Sequence, residues 1–384
     1  MYNLVFERGL ETAPSSTALA WSPMITKFHD AMRLYGGRLN HEHLEESGIT
    51  LIEAYRTRAE RLIASARRDH PRLPAIHFDY VNNNSLNAYA FKWGGDYFIG
   101  ITWGAFTILR LLFMRMLADK NALLTIGDPN REGNNLLPLD KMITIGPSVQ
   151  LPSTGRLVVG APQDPTRLQF AVTAFETAFS FLIRHEITHI LHGHLSHPLV
   201  ASTEALLPEF GWQPKTASAS STRQVLEYDA DRYASIGLAK SFMSHISTAQ
   251  NNSIDHRAFM TETFVGIGSM FRLFGDASAS GLDLGTLPYP PVRYRQYISM
   301  TGFCDYLNMA ANKTLFELSQ AVFTESFAAI ENAFPNFTKV EPSIEGLNEV
   351  LSANGRRHIQ WLFDEWQNRV KGELLPYSFA KFLS

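Results

Sequence analysis

The most restrictive feature of this chain is a metal-binding signature at the end of a long apolar run. Residues 170–183 read FAVTAFETAFSFLI, and the motif HEITH follows at residues 185–189. So few polar interruptions predict a helix that is buried on all sides. A buried helix holds its side chains in fixed positions away from water, and a shaped metal site requires both conditions.

The spacing of the two histidines suits zinc. His185 and His189 are four residues apart, so both side chains lie on one helix face and can reach one ion. Glu186 points about 100° further round the helix, where it can reach a water on that ion. We therefore predict Zn²⁺ as the cofactor, His185 and His189 as ligands, and Glu186 as the general base that moves the water's proton to the leaving amine. The alternative is a polar helix patch whose histidines are only solvated or hydrogen-bonded.

Residues on either side of the motif set the limits of this helix. Asp164 is a suitable N-cap, and Pro165 fits the first helical position. Gly193 is suited to end the helix before Pro198. The sequence therefore predicts one helix over residues 165–193.

A second acidic cluster offers the third ligand. Ser221 and Gln224 have the spacing of a capping box, which predicts a helix that starts at Ser221. Glu227 and Asp231 then share one face, with alanines beside them that allow close helix packing. We predict Glu227 as the third ligand and Asp231 as the acceptor for the free ring N–H of a ligating histidine, His185 in the first place. The alternative is a solvated acidic helix face.

The two motifs together resemble a known family. HEITHILHGH at residues 185–194 and EYDADRYA at residues 227–234 are similar to the gluzincin zinc peptidases, in particular the HtpX-like and prenyl-protease-like group. The resemblance implies an α+β fold with a zincin-like catalytic core, in which a small edge-exposed sheet packs on the two metal-binding helices. It matches Gly193-His194 to the family's GH pair, so His194 is not expected to be a ligand. The metzincin pattern fails, because His192 and Leu195 occupy its Gly and His positions.

An upstream segment extends the resemblance. NAYAF at residues 87–91, Gly94-Gly95 and a following β-rich run predict a hairpin of two strands. In such peptidases the second strand is a sheet edge along the cleft, where an extended peptide can pair with the backbone. The alternative is an ordinary core sheet. The resemblance implies these substrate-binding residues: Asn87, Ala88, Tyr97, Phe98, Ile99, Gly100, Ile101 and Thr102.

A downstream segment is similar to the family's HPPxxxR motif. Tyr289 replaces the histidine, two prolines follow it, and Arg295 keeps its place. Tyr289 or Arg295 is therefore the candidate donor to the oxyanion that develops during the reaction. A structural Pro-Pro turn with flanking aromatics is the alternative.

The motifs between roughly residues 85 and 300 also resemble the Lit-type phage-exclusion peptidases. That group has similar HEISH, EREAD and HPxxxxR segments, and SHPLV at residues 196–200 is like its sequence there. This resemblance implies a cytoplasmic, toxin-like peptidase that acts on a specific host protein. A protein partner that activates or inhibits it would fit such a role.

Further histidines follow the motif. His192, His194 and His197 cluster near the predicted helix end, where imidazoles suit the helix C-terminus. A second metal site in this cluster is the alternative interpretation. His245 and His256 are most simply helix-surface residues.

Composition fits a soluble enzyme. The 384 residues are 45% hydrophobic and 18% charged, which excludes a disordered chain, and the net charge of -3 gives no reason to expect nucleic acid. The single Cys304 suits a reducing cytoplasm. No membrane span is expected, because the most apolar run, Ile101–Leu117, contains two arginines.

We predict a helical region over 1–70, a peptidase core over 71–300 with a flap or insertion at 119–164, and a helical region over 301–384.

Two classes of function follow. The first is a soluble zinc-dependent endopeptidase with a polypeptide substrate. The second is a zinc-stabilised regulatory or interaction protein without peptidase activity. Glu186 favours the enzyme, because a purely structural zinc site does not need a base.

Overall fold

Helices predominate in the computed structural model, and the predicted α+β class is confirmed. The structure describes residues 4–6, 22–41, 44–133, 139–144, 149–151, 157–201, 206–208, 217–248, 255–274, 284, 287, 289–338 and 345–380. The helices are α1 Pro23–Met32, α2 Glu46–Asp69, α3 Trp103–Leu117, α4 Pro165–Leu191, α5 Pro198–Ala201, α6 Ala217–Thr248, α7 His256–Arg272, α8 Val292–Met309, α9 Lys313–Phe337, α10 Glu345–Leu351, α11 Ala353–Glu365 and α12 Lys371–Leu374. The strands are β1 Leu4–Phe6, β2 Ile76–Val81, β3 Ala88–Trp93, β4 Asp96–Thr102, β5 Leu157–Val159 and β6 Leu206–Pro208.

The main sheet has four strands in the order β2-β4-β3-β6. β3 and β4 pair antiparallel and form the predicted hairpin around Gly94-Gly95, where Trp93 lies opposite Asp96. Both glycines have positive φ, 57° and 88°, which side-chain-bearing residues adopt only with strain. A two-residue loop with positive φ at both positions matches the twist of the strands, so the sequence signal and the structure agree for a physical reason.

The prediction that Tyr97–Thr102 forms a sheet edge is wrong. β4 is an interior strand, because β2 pairs with it in parallel from Ile76 opposite Tyr97 to Val81 opposite Thr102. β3 occupies its other side. Both rows of β4 backbone groups are therefore used within the sheet, and an extended peptide cannot add to this strand.

Helix α4 is the central element of the fold. Asp164 caps it through the backbone N–H groups of Thr166 and Arg167, with Pro165 in the first turn, as predicted. The helix ends at Leu191, and Gly193 follows in the left-handed conformation. α4 packs against α2, α3, α6, α7 and strand β3, so it is buried around its circumference as its apolar sequence requires.

Helix α3 is the most apolar of the helices beside α4. It begins at Trp103, where the Thr102 side chain caps it, and ends at Leu117. Arg115 within it is buried and pairs with Asp119 one turn later, 3.2 Å away. Among the described residues, no helix combines the length and apolar character needed to cross a membrane.

One buried arginine fixes the chain that follows α3. Arg167 in the first turn of α4 is fully buried and donates hydrogen bonds to five backbone carbonyls. The acceptors belong to Leu117, Asp119, Ala122, Leu123 and Ile126. His185 lies 18 residues further along α4, roughly 27 Å along the helix axis. This first part of the predicted flap, 119–164, is therefore held at the end of α4 remote from the HEITH motif.

The predicted start of the second metal-binding helix is wrong. α6 begins at Ala217, so Ser221 lies inside the helix and cannot cap it. The Gln224 side chain instead donates to the carbonyls of Leu284 and Leu287, 2.7 Å away in each case. A glutamine that hydrogen-bonds to a distant segment can have the same spacing from a serine as a glutamine in a capping box. The sequence alone could not distinguish these two roles.

The end of α4 is closed by a distant part of the chain. The backbone N–H groups of Phe379 and Ala380 donate to the carbonyl of Leu191, at 2.9 and 3.3 Å. Gly193 has φ +81°, and a Cβ there would lie 2.7 Å from the Tyr377 carbonyl. The glycine is thus required both by its backbone conformation and by this close approach.

We expect Gly193→Ala to lower the free energy of unfolding by about 1–3 kcal/mol, because the alanine must adopt a strained φ against the Tyr377 backbone. Urea denaturation followed by circular dichroism measures the change. Gly372→Ala in α12 is the matched control, since nothing lies within 4 Å of its Cβ, and it should be neutral or stabilising by up to about 1 kcal/mol. Equal stability of Gly193→Ala and the wild type would contradict the assignment.

Candidate metal centre

Helices α4 and α6 bring together the three predicted ligands. The Nε2 atoms of His185 and His189 are 2.9 Å apart. Glu227 Oε2 lies 3.4 Å from His185 Nε2, and Glu227 Oε1 lies 3.6 Å from His189 Nε2. The three residues are buried, with 0%, 1% and 0% of their surface exposed. This group could hold a metal ion.

The distances fit a tetrahedral zinc site. Ligand atoms about 2.0–2.1 Å from a tetrahedral ion are roughly 3.3 Å from one another. The three separations of 2.9, 3.4 and 3.6 Å lie on both sides of that value, so small shifts would complete the geometry. Two nitrogens and a carboxylate oxygen are also a donor set that zinc accepts.

The contacts of the Nδ1 atoms of His185 and His189 also fit a metal site. His185 Nδ1 lies 3.0 Å from Asp231 Oδ1, and His189 Nδ1 lies 2.8 Å from His194 Nδ1. With a hydrogen on each Nδ1, two Nε2 lone pairs and the Glu227 carboxylate converge on one point. Burial, followed by the nearby cationic groups, holds the pKa of His189 well below its ordinary value, so the ring is neutral. Such a convergence of electron pairs suits a divalent cation.

A buried ion pair between Arg295 and Asp231 lies next to the candidate ligands. Arg295 donates to both oxygens of Asp231, through Nε and Nη2, at 2.7 Å each. Its Nη2 also lies 3.2 Å from Glu227 Oε2. Asp231 therefore lies between Arg295 and His185, where its carboxylate can help to orient the histidine ring.

Arg223 is a site residue that the sequence analysis missed. Its Nη2 lies 2.7 Å from Glu227 Oε1, one helical turn away, and its guanidinium lies 5.2 Å from the centre of the Tyr289 ring. Burial alone would raise the pKa of Glu227, but Arg223, Arg295 and His185 together lower it to about 2. Glu227 is therefore anionic, as a metal ligand must be. The i, i+4 spacing of Arg223 and Glu227 was the available signal.

Strand β3 lies near the predicted base. Glu186 is fully buried on α4, and β3 packs against this helix. Burial raises the pKa of Tyr89 on β3 above its ordinary value, and Tyr35, Glu186 and Tyr289 act in the same direction. Glu186 and Tyr289 therefore both lie close enough to Tyr89 to influence its pKa. Among the predicted substrate residues, Ala88 begins β3 and Asn87 precedes it, whereas 97–102 belong to interior β4.

A second buried group adjoins the first. His192 Nδ1 lies 2.5 Å from Asp229 Oδ2, and His194 Nε2 lies 3.1 Å from the same oxygen. These three residues also form a geometric candidate for a metal ion. His194 Nδ1 faces His189 Nδ1, so the two groups share a contact.

Comparison with protein-family models, curated proteins and solved structures finds no match to this chain. The geometry of the two groups is therefore the basis for any functional assignment.

Replacing any of the three ligands should remove the metal. We expect His185→Ala, His189→Ala and Glu227→Ala each to weaken zinc binding on the order of 100-fold or more, since losing even a ligand's hydrogen-bond partner costs about 10–100-fold. Competition titration with a zinc chelator measures the affinity. His256→Ala, a half-buried histidine at the start of α7, serves as the control and should bind like the wild type. Three variants with undiminished affinity would contradict the ligand assignment.

Proposed function

We propose that this protein is a zinc-dependent endopeptidase with Glu186 as its general base. The observation that carries the proposal is the convergence of His185, His189 and Glu227, with Glu186 on the same helix. Two imidazoles four residues apart, a carboxylate from a second helix and a glutamate next to the first histidine form the donor set and base of a zinc hydrolase.

Bound zinc would polarise the substrate carbonyl and lower the pKa of a water to about 7. Glu186 would accept a proton from the attacking water at its carboxylate and deliver it to the leaving amine nitrogen. Asp231 would hold the Nδ1–H of His185, so that its Nε2 keeps the lone pair for the ion.

For the oxyanion donor, the geometry favours Tyr289 over Arg295. Arg295 has its Nε and one terminal nitrogen on Asp231, which makes it a positioning residue. Tyr289 is half-buried, and its ring lies beside the Arg223 guanidinium. A phenol O–H there can donate to a developing negative charge, and the adjacent cation lowers the cost of that charge.

Strand β3 can offer a peptide only limited pairing. β6 pairs with the outer side of β3, from Pro208 opposite Tyr89 to Leu206 opposite Phe91. A polypeptide substrate would therefore pair with β3 outside that stretch, or would displace β6. A protein partner that moves β6 would act as an activator. The toxin-like role against a host protein rests on the motif resemblance alone.

One observation favours the second candidate function, a zinc-stabilised regulatory or interaction protein. The three ligands are at most 1% exposed, and structural zinc sites are closed whereas catalytic ones keep an open position. In that function the zinc would join α4 to α6, and Glu186 would have no proton to move.

Two measurements on the purified protein separate these functions. Elemental analysis should find zinc in both cases. Only the endopeptidase should cleave an unfolded protein such as casein, with loss of cleavage in 1,10-phenanthroline and recovery on addition of zinc. Zinc without cleavage of casein or of a cellular proteome, mapped by new N-termini, would reject the endopeptidase and leave the structural site.

A further inference from the structure

We propose that His194 and Asp229 position the metal ligand His189, and that the group His192, His194 and Asp229 cannot hold a second ion while the first is bound. The proposal rests on the metal assignment at His185, His189 and Glu227, but not on peptidase activity. Only one hydrogen can lie between His189 Nδ1 and His194 Nδ1, and the proposal follows from which of the two rings carries it.

The position of that hydrogen is determined by the first metal. A neutral histidine that binds an ion through Nε2 carries its hydrogen on Nδ1. His189 Nδ1 is 2.8 Å from His194 Nδ1, so His194 must accept at Nδ1. A neutral His194 then carries its own hydrogen on Nε2, which lies 3.1 Å from Asp229 Oδ2. The hydrogen on His189 Nδ1 thus has an acceptor in His194 Nδ1, and the Nε2 side of His194 lies at ion-pair distance from the Asp229 carboxylate.

A second ion would disrupt this arrangement. If His194 Nε2 bound an ion, its hydrogen would move to Nδ1 and would face the hydrogen on His189 Nδ1 across 2.8 Å. Only loss of a proton from one ring would relieve that conflict. The two groups therefore cannot each bind an ion at the same time while all of their histidines are neutral.

The distances in the second group are those of hydrogen bonds. His192 Nδ1 and Asp229 Oδ2 are 2.5 Å apart, well below the roughly 3.3 Å between two ligands of one tetrahedral zinc. A charge-assisted N–H···O hydrogen bond is about 2.7–2.9 Å long, so the contact between His192 and Asp229 is closer to a hydrogen bond than to a pair of zinc ligands. The ring of His192 also stacks on Trp366, with centroids 6.0 Å apart and an angle of 23° between the planes. His192 is thus fixed as a second donor that orients Asp229.

Metal stoichiometry tests the exclusion without any variant. We expect the wild type to bind one zinc per chain at saturation, by elemental analysis after gel filtration. In the zinc-loaded protein, long-range ¹H–¹⁵N NMR should show His194 protonated at Nε2 and not at Nδ1. Two zinc ions per chain, or a His194 hydrogen on Nδ1, would overturn the proposal.

Variants test the positioning role. His194→Phe removes the acceptor and should weaken zinc binding about 10–100-fold, the usual effect of losing a ligand's hydrogen-bond partner. His194→Asn supplies a carbonyl oxygen near the position of Nδ1 and should restore most of that affinity. His197→Phe is the matched control, because His197 is a buried histidine that contacts Glu373 instead, 2.9 Å away. Equal affinity of the Phe and Asn variants would contradict the proposal, and cleavage activity plays no part in either result.

Discussion

Glu186→Gln is expected to keep its zinc and its fold but to lose between about 10² and 10⁴-fold in peptide-bond turnover. Glutamine has the same size and remains polar, so the buried position on α4 tolerates it. Its amide cannot accept a proton at neutral pH, which removes the base. Steady-state cleavage of a quenched fluorescent peptide, with zinc content measured on the same samples, gives the result.

The matched control is Glu176→Gln on the same helix. Glu176 pairs with Arg58 at 2.9 Å and lies outside the metal group, so turnover should be unchanged. Turnover in Glu186→Gln equal to that of the wild type would exclude Glu186 as the base. A protein with zinc but without turnover even in the wild type would instead favour the structural function.

Arg295→Met should lower the free energy of unfolding of the zinc-free protein by about 3–5 kcal/mol, the usual cost of leaving buried charges uncompensated. Arg295 contacts both Asp231 and Glu227, and all three side chains are buried. Zinc would neutralise part of the charge on Glu227, so the loss should be smaller in the zinc-loaded protein. Urea denaturation with and without zinc measures both quantities.

Arg232→Met is the control for this variant. Arg232 is partly exposed and lies 3.6 Å from an exposed Asp305 oxygen, so its loss should change stability by less than about 1 kcal/mol. A similarly small effect of Arg295→Met in the zinc-free protein would show that the buried ion pair is not a major contribution to stability.

Signals that act within one element could be read from the sequence. Asp164, Pro165 and Gly193 set the limits of α4, because capping and backbone preferences involve only neighbouring residues. The same holds for the Gly94-Gly95 hairpin. The face of α6 that carries Glu227 and Asp231 followed from helical spacing, although the start of that helix did not.

Features that depend on distant partners could not be predicted in the same way. The sequence of the β3–β4 hairpin does not indicate that another strand, β2, pairs with the side of β4 that faces away from β3. Arg295 kept its place in the HPPxxxR-like segment, but only the packing of α8 on α6 shows that it contacts Asp231. α8 also crosses residue 300, where the sequence suggested a boundary. The pairing of His194 with His189 depends on the turn after α4, which sets the direction of the ring.

The closure of α4 by residues 377–380 has a consequence for how the protein is made. Ser378 and Leu191 are 187 positions apart, so this contact is among the most non-local in the fold. A ribosome that adds about 5–20 residues per second needs roughly 10–40 s to travel that distance. During that interval the last turn of α4, which carries His189, lacks the partners of its terminal carbonyl. The end of α4 therefore acquires these hydrogen bonds only after residues 378–380 have been synthesised.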